Sequence, residues 1–119
     1  THEILDEGHK LIHGVFGSAG DVKVTDRSLI WNTDLIETLE FDNLISQAVV
    51  TMDSALNRTE SRGAHAREDF HEREDKEWMK HTRTWVNFDT KKVAIDYRPV
   101  HTYTLTNEIQ YIEPKARVY

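Results

Sequence analysis

Residues 29–57 have the sequence LIWNTDLIETLEFDNLISQAVVTMDSALN, which carries the longest apolar pattern of the chain. Apolar residues recur in it at steps of three and four, a pattern that predicts one long or kinked helix of the kind found in bundles. Thr25 or Asp26 is a candidate N-cap for this helix, and the segment 32–34 marks an interruption or a second N-cap. We expect the helix to end near Asn57.

A second amphipathic helix is predicted over residues 3–16, and it is expected to end near Gly17, where glycine and serine become frequent. Its apolar face consists of Ile4, Leu5, Leu11, Ile12, Val15 and Phe16. The chain begins at Thr1, without an initiator methionine and already within a helical pattern. We therefore expect a helical bundle of two or three helices that is truncated at its N-terminus and belongs to a longer polypeptide.

After the helical part, the spacing of the apolar residues changes. Residues 93–97 alternate between apolar and polar and follow a turn near 87–92, which predicts a β-hairpin with arms near 81–87 and 92–98. Pro99 is expected to end the second arm, because proline has no N–H to donate to a strand ladder. Residues 100–119 show little periodicity, so we expect a tail that runs extended over another surface.

The predicted fold is mainly α: a helical bundle followed by a β-hairpin and an extended C-terminal tail. Segments 1–78 and 79–119 are expected to form one domain, with Trp31, Trp78 and Trp85 as core or interface residues. Two helices and one hairpin bury little apolar area, and an isolated hairpin is marginally stable. The thin core therefore indicates that further helices or another domain complete it.

The composition excludes several classes of function. The chain carries a net charge of −6, which makes free nucleic acid a poor partner, because phosphate binding needs a basic face. It has no cysteine, which excludes disulfides, thiolate metal sites and cysteine nucleophiles within these 119 residues. The sequence contains no apolar run of the roughly 18–20 residues that span a bilayer.

Two short motifs invite a chemical interpretation. His9 and His13 are four residues apart on a predicted helix, a spacing that can hold one metal ion. The sequence has no HExxH pattern and shows no third ligand nearby, so two surface histidines and no metal site are expected. Ser61 is close to His65 but lacks the elbow motif of a serine hydrolase, so we expect no catalytic residue here.

Residues 58–69, here called the charged segment, have the sequence RTESRGAHARED. They hold three arginines, three carboxylates and a histidine around Gly63, which permits a turn with positive φ. One interpretation is a solvated helix end with ion pairs. The other is a docking surface for another domain or for a cofactor, since arginine binds carboxylates through bidentate forks.

Several segments resemble the C-terminal domain of the succinate dehydrogenase and fumarate reductase flavoprotein family. They are residues 27–32 (RSLIWN), 58–70 (RTESRGAHAREDF), 78–82 (WMKHT), 97–100 (YRPV) and 114–119 (PKARVY). The central motif is similar also to the fumarate reductase and L-aspartate oxidase branches. The WMKH and RPV pieces favour the succinate dehydrogenase branch, and the resemblance covers essentially the whole chain.

The resemblance implies that the whole subunit oxidises succinate to fumarate with FAD, in the tricarboxylic acid cycle, and passes electrons to an iron–sulfur subunit. It implies no catalytic and no direct cofactor-binding residue in this chain, which is expected to be inactive alone and to bind no FAD. The implied partners are the flavin-binding domain, the iron–sulfur and membrane anchor subunits, and a flavinylation assembly factor. The implied location is peripheral, on the cytoplasmic side of the bacterial inner membrane or the matrix side of the mitochondrial one.

The resemblance also implies roles for four residues. Arg62, His65 and Arg67 would lie at the contact with the flavin-binding domain, so their charges are expected to be exposed or disordered in this chain. Arg117 would support covalent attachment of the flavin. The alternative is a stand-alone helical module that binds a partner protein. A part of a larger subunit is expected to expose an apolar helix face and to self-associate, whereas a module is not.

Overall fold

The computed structural model describes residues 1–115, and two long helices form its largest part. The first helix, α1, spans His2–Ser18 and continues into a 3₁₀ turn at Ala19–Asp21. The second helix, α2, spans Thr33–Asn57. Both helices end where their periodicity predicts, because the polar and glycine-rich residues that follow offer no further apolar face.

The two helices run antiparallel and enclose the core. His9, in the first half of α1, contacts Asp53 near the end of α2, whereas Phe16 near the end of α1 packs against Ile45 and Val49. Phe16, Ile45 and Val49 are buried, and they form the centre of a small core. The residues that surround this core are Ile12, Phe41, Val50, Val86 and Val93.

The start of α2 is set by Asn32, whose side-chain oxygen accepts a hydrogen bond from the Leu35 N–H at 2.9 Å. The candidate start at Thr25 or Asp26 is therefore wrong, and the second candidate cap is confirmed. The Asp34 carboxylate accepts the backbone N–H groups of Thr25 at 2.6 Å and Asp26 at 3.0 Å. These bonds hold the residues before α2 in a loop, because they satisfy the backbone there without a helix.

The hairpin follows a short helix, α3, at Asp75–Trp78. Its strands are β1, Lys80–Asn87, and β2, Lys92–Pro99, which pair antiparallel. Burial alternates along both strands. In β2 the partly buried residues are the apolar Val93, Ile95 and Tyr97, as the alternation of that arm predicts. In β1 they are Lys80, Thr82, Thr84 and Val86. The predicted arms and the end of the second strand at proline are confirmed. Residues 100–115 form neither helix nor strand, and most of their side chains are exposed.

The mainly α fold with a β-hairpin is confirmed, and much of its apolar surface stays uncovered. The exposed apolar side chains of the two long helices are Ile4, Leu11, Val15, Leu35, Ile36, Leu39 and Leu44. Soluble monomers seldom expose contiguous apolar patches of this kind unless the patch binds something. In the part of the chain that the structure describes, no helix has the length and apolar character needed to cross a membrane.

The loop before α2 carries an exposed apolar tip, formed by Leu29, Ile30 and Trp31. Their side chains are 99%, 76% and 90% exposed. Asn32 donates from its amide to the backbone oxygens of Asp26 and Ser28 at 3.0 Å each, which holds the tip in one shape. Trp31 has a φ of +54°, a left-handed conformation that is unfavourable for an aromatic residue. Of the three tryptophans, only Trp78 is buried.

Candidate functional site

The charged segment begins directly after α2 and folds into two small turns. Arg62 and His65 exchange backbone hydrogen bonds of 2.8 and 3.1 Å across the first turn. Gly63, at the first central position, has a φ of +59°, which is the position that a type II′ turn reserves for glycine. Arg67 and Phe70 form the second bridge. The segment is thus folded on its own chain and not an open helix end.

Glu60 lies at the centre of the charged segment and is fully buried. Arg62 forks onto it, from Nε to Oε1 at 2.8 Å and from Nη2 to Oε2 at 2.9 Å. The backbone N–H of Glu74 donates to Oε2 at 2.9 Å, and Arg58 forms a further ion pair with Oε1. Two arginines and one backbone group therefore hold a single carboxylate that has no contact with water.

The electrostatic balance at Glu60 favours the charged carboxylate. Burial alone would raise the pKa of Glu60, but the hydrogen bonds from Arg62, the Glu74 N–H and Arg58 outweigh it, and the pKa is lowered. Hydrogen bonds to Glu60 and then to Asp75 raise the pKa of Arg62. Hydrogen bonds from Arg62 and Arg73 lower the pKa of Asp75, which extends the network towards α3.

Arg58 connects the end of α2 to the hairpin. It donates to the backbone oxygens of Trp78 at 3.1 Å and Lys80 at 2.7 Å. Its guanidinium also lies over the Trp78 ring, 5.0 Å from the centroid. A cation on an aromatic face contributes roughly 0.5–2 kcal/mol. Glu60 and Arg58 together therefore fix the angle at which the hairpin leaves the helices.

Arg67 and Asp69 connect the two helix ends. Arg67 is only 3% exposed and donates from Nη1 to the oxygens of Ala55 at 3.2 Å and Leu56 at 3.4 Å, in the last turn of α2. It forks onto Asp69 at 2.8 and 2.7 Å, and Asp69 accepts the His2 N–H at 2.7 Å. A cation thus lies at the carbonyl end of α2 and an anion at the amide end of α1, as the helix dipoles favour.

The expected exposure of the segment's charges is wrong for Arg67, because its guanidinium satisfies its own chain. Arg62 and His65 remain partly exposed, and His65 Nε2 lies 3.2 Å from the oxygen of Arg58. The role of these three residues at a domain contact stays a prediction. Arg117 lies outside the described residues.

An open cavity of about 630 Å³ lies beside the segment, between α2 and the hairpin. Arg62, His65, Trp78 and Met79 contribute to its wall. Glu60 already occupies the fork of Arg62, and Asp75 takes a further bond from Nη2 at 2.7 Å. Arg62 therefore offers no empty fork to a substrate carboxylate, and the arrangement suits a contact surface better than a reaction centre.

We expect stability to decrease as the pH is lowered from about 5 to about 3. The ordinary pKa values are 4.5 for Glu60 and 3.8 for Asp69, and both are lowered in the fold, in Asp69 chiefly by the hydrogen bond from Arg67. A carboxyl whose pKa is lower in the folded than in the unfolded protein stabilises the fold. This contribution is complete at a pH above the pKa of the unfolded protein and is lost as the pH falls through the pKa of the folded protein. Urea unfolding across this range measures it, and a free energy of unfolding that rises towards pH 3 would contradict the assignment.

Sequence reasoning missed Glu60 as the centre of the segment. A signal was present, because Arg58, Glu60 and Arg62 alternate along an extended stretch, which brings their side chains to one side. It also missed the link from Asp69 to His2, for which the sequence holds no signal, since the two residues are 67 positions apart.

Comparisons with known proteins agree over the whole chain. The family described as "Fumarate reductase flavoprotein C-term" matches residues 1–119. The chain is similar to the mitochondrial succinate dehydrogenase [ubiquinone] flavoprotein subunit of Oryza sativa subsp. japonica, at 56% identity over 119 residues, which cover all of this chain and 19% of the relative. The succinate dehydrogenase flavoprotein subunit of Rickettsia bellii is 54% identical over 119 residues, all of this chain and 20% of the relative.

The fold comparison agrees with the sequence comparison. A solved E. coli quinol fumarate reductase matches with a TM-score of 0.82 and 30% sequence identity, over 100% of this chain and 19% of that one. The chain therefore spans about one fifth of the length of these relatives.

Proposed function

Because the chain belongs to the family of fumarate reductase flavoprotein C-terminal domains, we propose that it is the C-terminal domain of a succinate dehydrogenase flavoprotein subunit. In this proposal the full subunit oxidises succinate to fumarate with FAD and passes the electrons to an iron–sulfur subunit. The chain supplies no catalytic residue and holds no flavin alone. It packs against the flavin-binding domain and completes that domain's surface.

The observation that carries the docking role is the rigid apolar tip of Leu29, Ile30 and Trp31. Three large side chains that are almost fully exposed have no stabilising function inside this chain. A left-handed tryptophan costs roughly 1–3 kcal/mol, and such strain persists mainly at ligand-binding and contact sites. We therefore place the tip, with the exposed apolar faces of α1 and α2, against the flavin-binding domain.

The charged segment has a divided role in this proposal. Arg67 and Glu60 shape the segment from inside, whereas Arg62 and His65 present their partly exposed edges to the flavin-binding domain. Arg117 supports covalent flavin attachment, with an assembly factor. The wider complex adds the iron–sulfur and membrane anchor subunits, which would place the subunit peripherally at the bacterial inner membrane or the mitochondrial one. The family match over all 119 residues favours this proposal over a stand-alone interaction module.

Replacing Trp31 by glycine is expected to destabilise the full flavoprotein subunit but not the 119-residue chain. In the 119-residue chain, the free energy of unfolding is expected to stay the same or to rise by up to about 2 kcal/mol, because glycine relieves the left-handed strain at Trp31 and offsets part of that gain through its larger chain entropy. In the full flavoprotein subunit, loss of a buried aromatic contact is expected to cost about 2–4 kcal/mol. Chemical unfolding of both proteins and in-gel flavin fluorescence of the subunit measure the difference.

The matched control is Trp85→Thr, which removes a half-exposed tryptophan from the outer face of the hairpin and keeps strand propensity. In the full subunit, Arg62→Gln and Arg117→Gln are expected to reduce the amount of covalently bound flavin, as Trp31→Gly is. Equal stability of wild type and Trp31→Gly in the subunit, together with normal flavin loading in all variants, would refute the docking role.

A further inference from the structure

Three side chains with metal-ligand chemistry meet between the two long helices, at a place that the proposed function does not use. His9 and His13 extend from α1, and Asp53 extends from α2. Nε2 of His9 lies 3.1 Å from Oδ1 of Asp53, and Nε2 of His13 lies 2.6 Å from Oδ2. The two imidazole rings are 4.3 Å apart between centroids and tilted by 43°. The sequence alone shows the histidine pair but not its third member.

We propose that His9, His13 and Asp53 form a binding site for one divalent transition-metal ion, with Zn²⁺ as the best-suited ion. Their ligand atoms all lie within 4.8 Å of one another, and residues 1–115 contain no other group of three such side chains this close. The i, i+4 spacing turns both imidazoles to the same side of α1, and the facing helix supplies a carboxylate. Two imidazoles and one carboxylate suit Zn²⁺, Co²⁺ or Ni²⁺ better than Mg²⁺ or Ca²⁺, which prefer oxygen ligands.

The burial of the three side chains fits an ion that enters from solvent. The exposed fractions are 30% for His9, 24% for His13 and 14% for Asp53. An ion there would lose part of its hydration and keep an open position for water, as three-ligand zinc sites do. The site would also join Asp53 of α2 to two residues of α1 that are 40 and 44 positions away in sequence.

A close approach of the helices brings Asp53 within reach of α1. A Cβ placed on Gly8 would lie 3.0 Å from Cε of Met52, so the absence of a side chain at Gly8 permits the contact. Met52 and Asp53 are neighbours on α2, and Gly8 and His9 are neighbours on α1. The lack of a Cβ at Gly8 therefore leaves room for the Met52 side chain beside His9 and Asp53.

Metal binding requires a change of tautomer at both histidines. Without an ion, each Nε2 bonds the carboxylate, which needs a proton on Nε2 because the carboxylate only accepts. An ion at Nε2 needs the lone pair there, so the proton of the neutral ring moves to Nδ1. This shift distinguishes a metal site from a hydrogen-bonded His–Asp–His group, which needs no tautomer change.

The test titrates Zn²⁺ into the chelator-treated 119-residue chain and follows binding by calorimetry. We expect one equivalent to bind, and at a hundredfold excess over Kd the melting temperature should rise by about 5–15 °C. Nitrogen-15 NMR of the imidazoles should show two histidines that pass from the Nε2–H to the Nδ1–H tautomer. This NMR readout needs no variant and therefore does not depend on whether a variant folds.

The variants His13→Gln and Asp53→Asn are expected to lose the zinc-induced rise in melting temperature. The exposed His71, outside the helices, provides the matched control His71→Gln, which should keep it. Unchanged tautomers in a large molar excess of Zn²⁺, or equal zinc affinity in wild type and His13→Gln, would overturn the proposal and leave a metal-free hydrogen-bonded group. The outcome of these zinc-binding experiments is independent of the proposed docking role, because none of them measures flavin attachment.

Discussion

Replacing Glu60 by glutamine is expected to lower the free energy of unfolding by about 3–4 kcal/mol, a large part of the 5–15 kcal/mol typical of a domain. Glutamine keeps the shape of the side chain but removes its charge. It also turns an amide NH₂ towards Arg58 or Arg62, which offer only donors. Two arginines would then lose the carboxylate that they enclose, and the penalty of an uncompensated buried charge would follow.

The matched control is Glu68→Gln, which removes a carboxylate from an exposed position of the same segment. We expect it to change the free energy of unfolding by less than about 0.5 kcal/mol. Urea unfolding followed by circular dichroism measures both variants. A loss below about 1 kcal/mol for Glu60→Gln would mean that the network contributes no more than a surface ion pair.

Replacing Arg67 by leucine is expected to cost about 3–4 kcal/mol and to loosen two helix ends together. The change leaves the oxygens of Ala55 and Leu56 without their donor and leaves Asp69 without its cation. Because Asp69 also accepts the His2 N–H, we expect the amide end of α1 to lose order although it is distant in sequence.

Hydrogen exchange measures this coupling, since amides in the first turn of α1 and the last turn of α2 should exchange faster in Arg67→Leu. Arg67→Lys is expected to recover part of the stability, because an ammonium keeps the charge but not the fork. Arg98→Met, at an exposed position of β2, is the control. Faster exchange confined to the charged segment would contradict the link between the helices.

The charged segment has a buried part, which contains Glu60 and Arg67, and a partly exposed part. Glu60 and Arg67 are buried and satisfy groups of their own chain, whereas Arg62 and His65 keep an exposed edge. Loss of covalent flavin in an Arg67 variant would therefore be expected to accompany a loss of stability. An Arg62 or His65 variant tests the contact surface more directly, because each of these side chains lies at the cavity wall.

The two long helices and the hairpin were readable from the sequence because each depends on residues close together in the chain, whereas the four-residue helix α3 was not predicted. The three- and four-residue steps specify α2, and the side chain of Asn32 caps it three residues ahead of Leu35. Alternation specifies the second arm of the hairpin, and the first arm pairs with it. The misplaced start of α2 has a physical reason. Leu29 and Ile30 continue the apolar pattern, yet the hydrogen bonds of the loop before α2 hold them outside the helix.

The contacts at the charged segment and between the histidines and Asp53 join residues that are distant in sequence, and local sequence patterns do not encode them. Asp53 meets His9 across 44 positions, Glu60 meets the Glu74 N–H across 14, and Asp69 meets His2 across 67. Such pairs form only after helix packing has set the distances, and periodicity carries no information about which polar residues then face each other. The sequence by itself therefore determined the two long helices, the hairpin and, through its motifs, the family. Only the tertiary structure decided that the charged segment is folded inwards and that two histidines share a carboxylate.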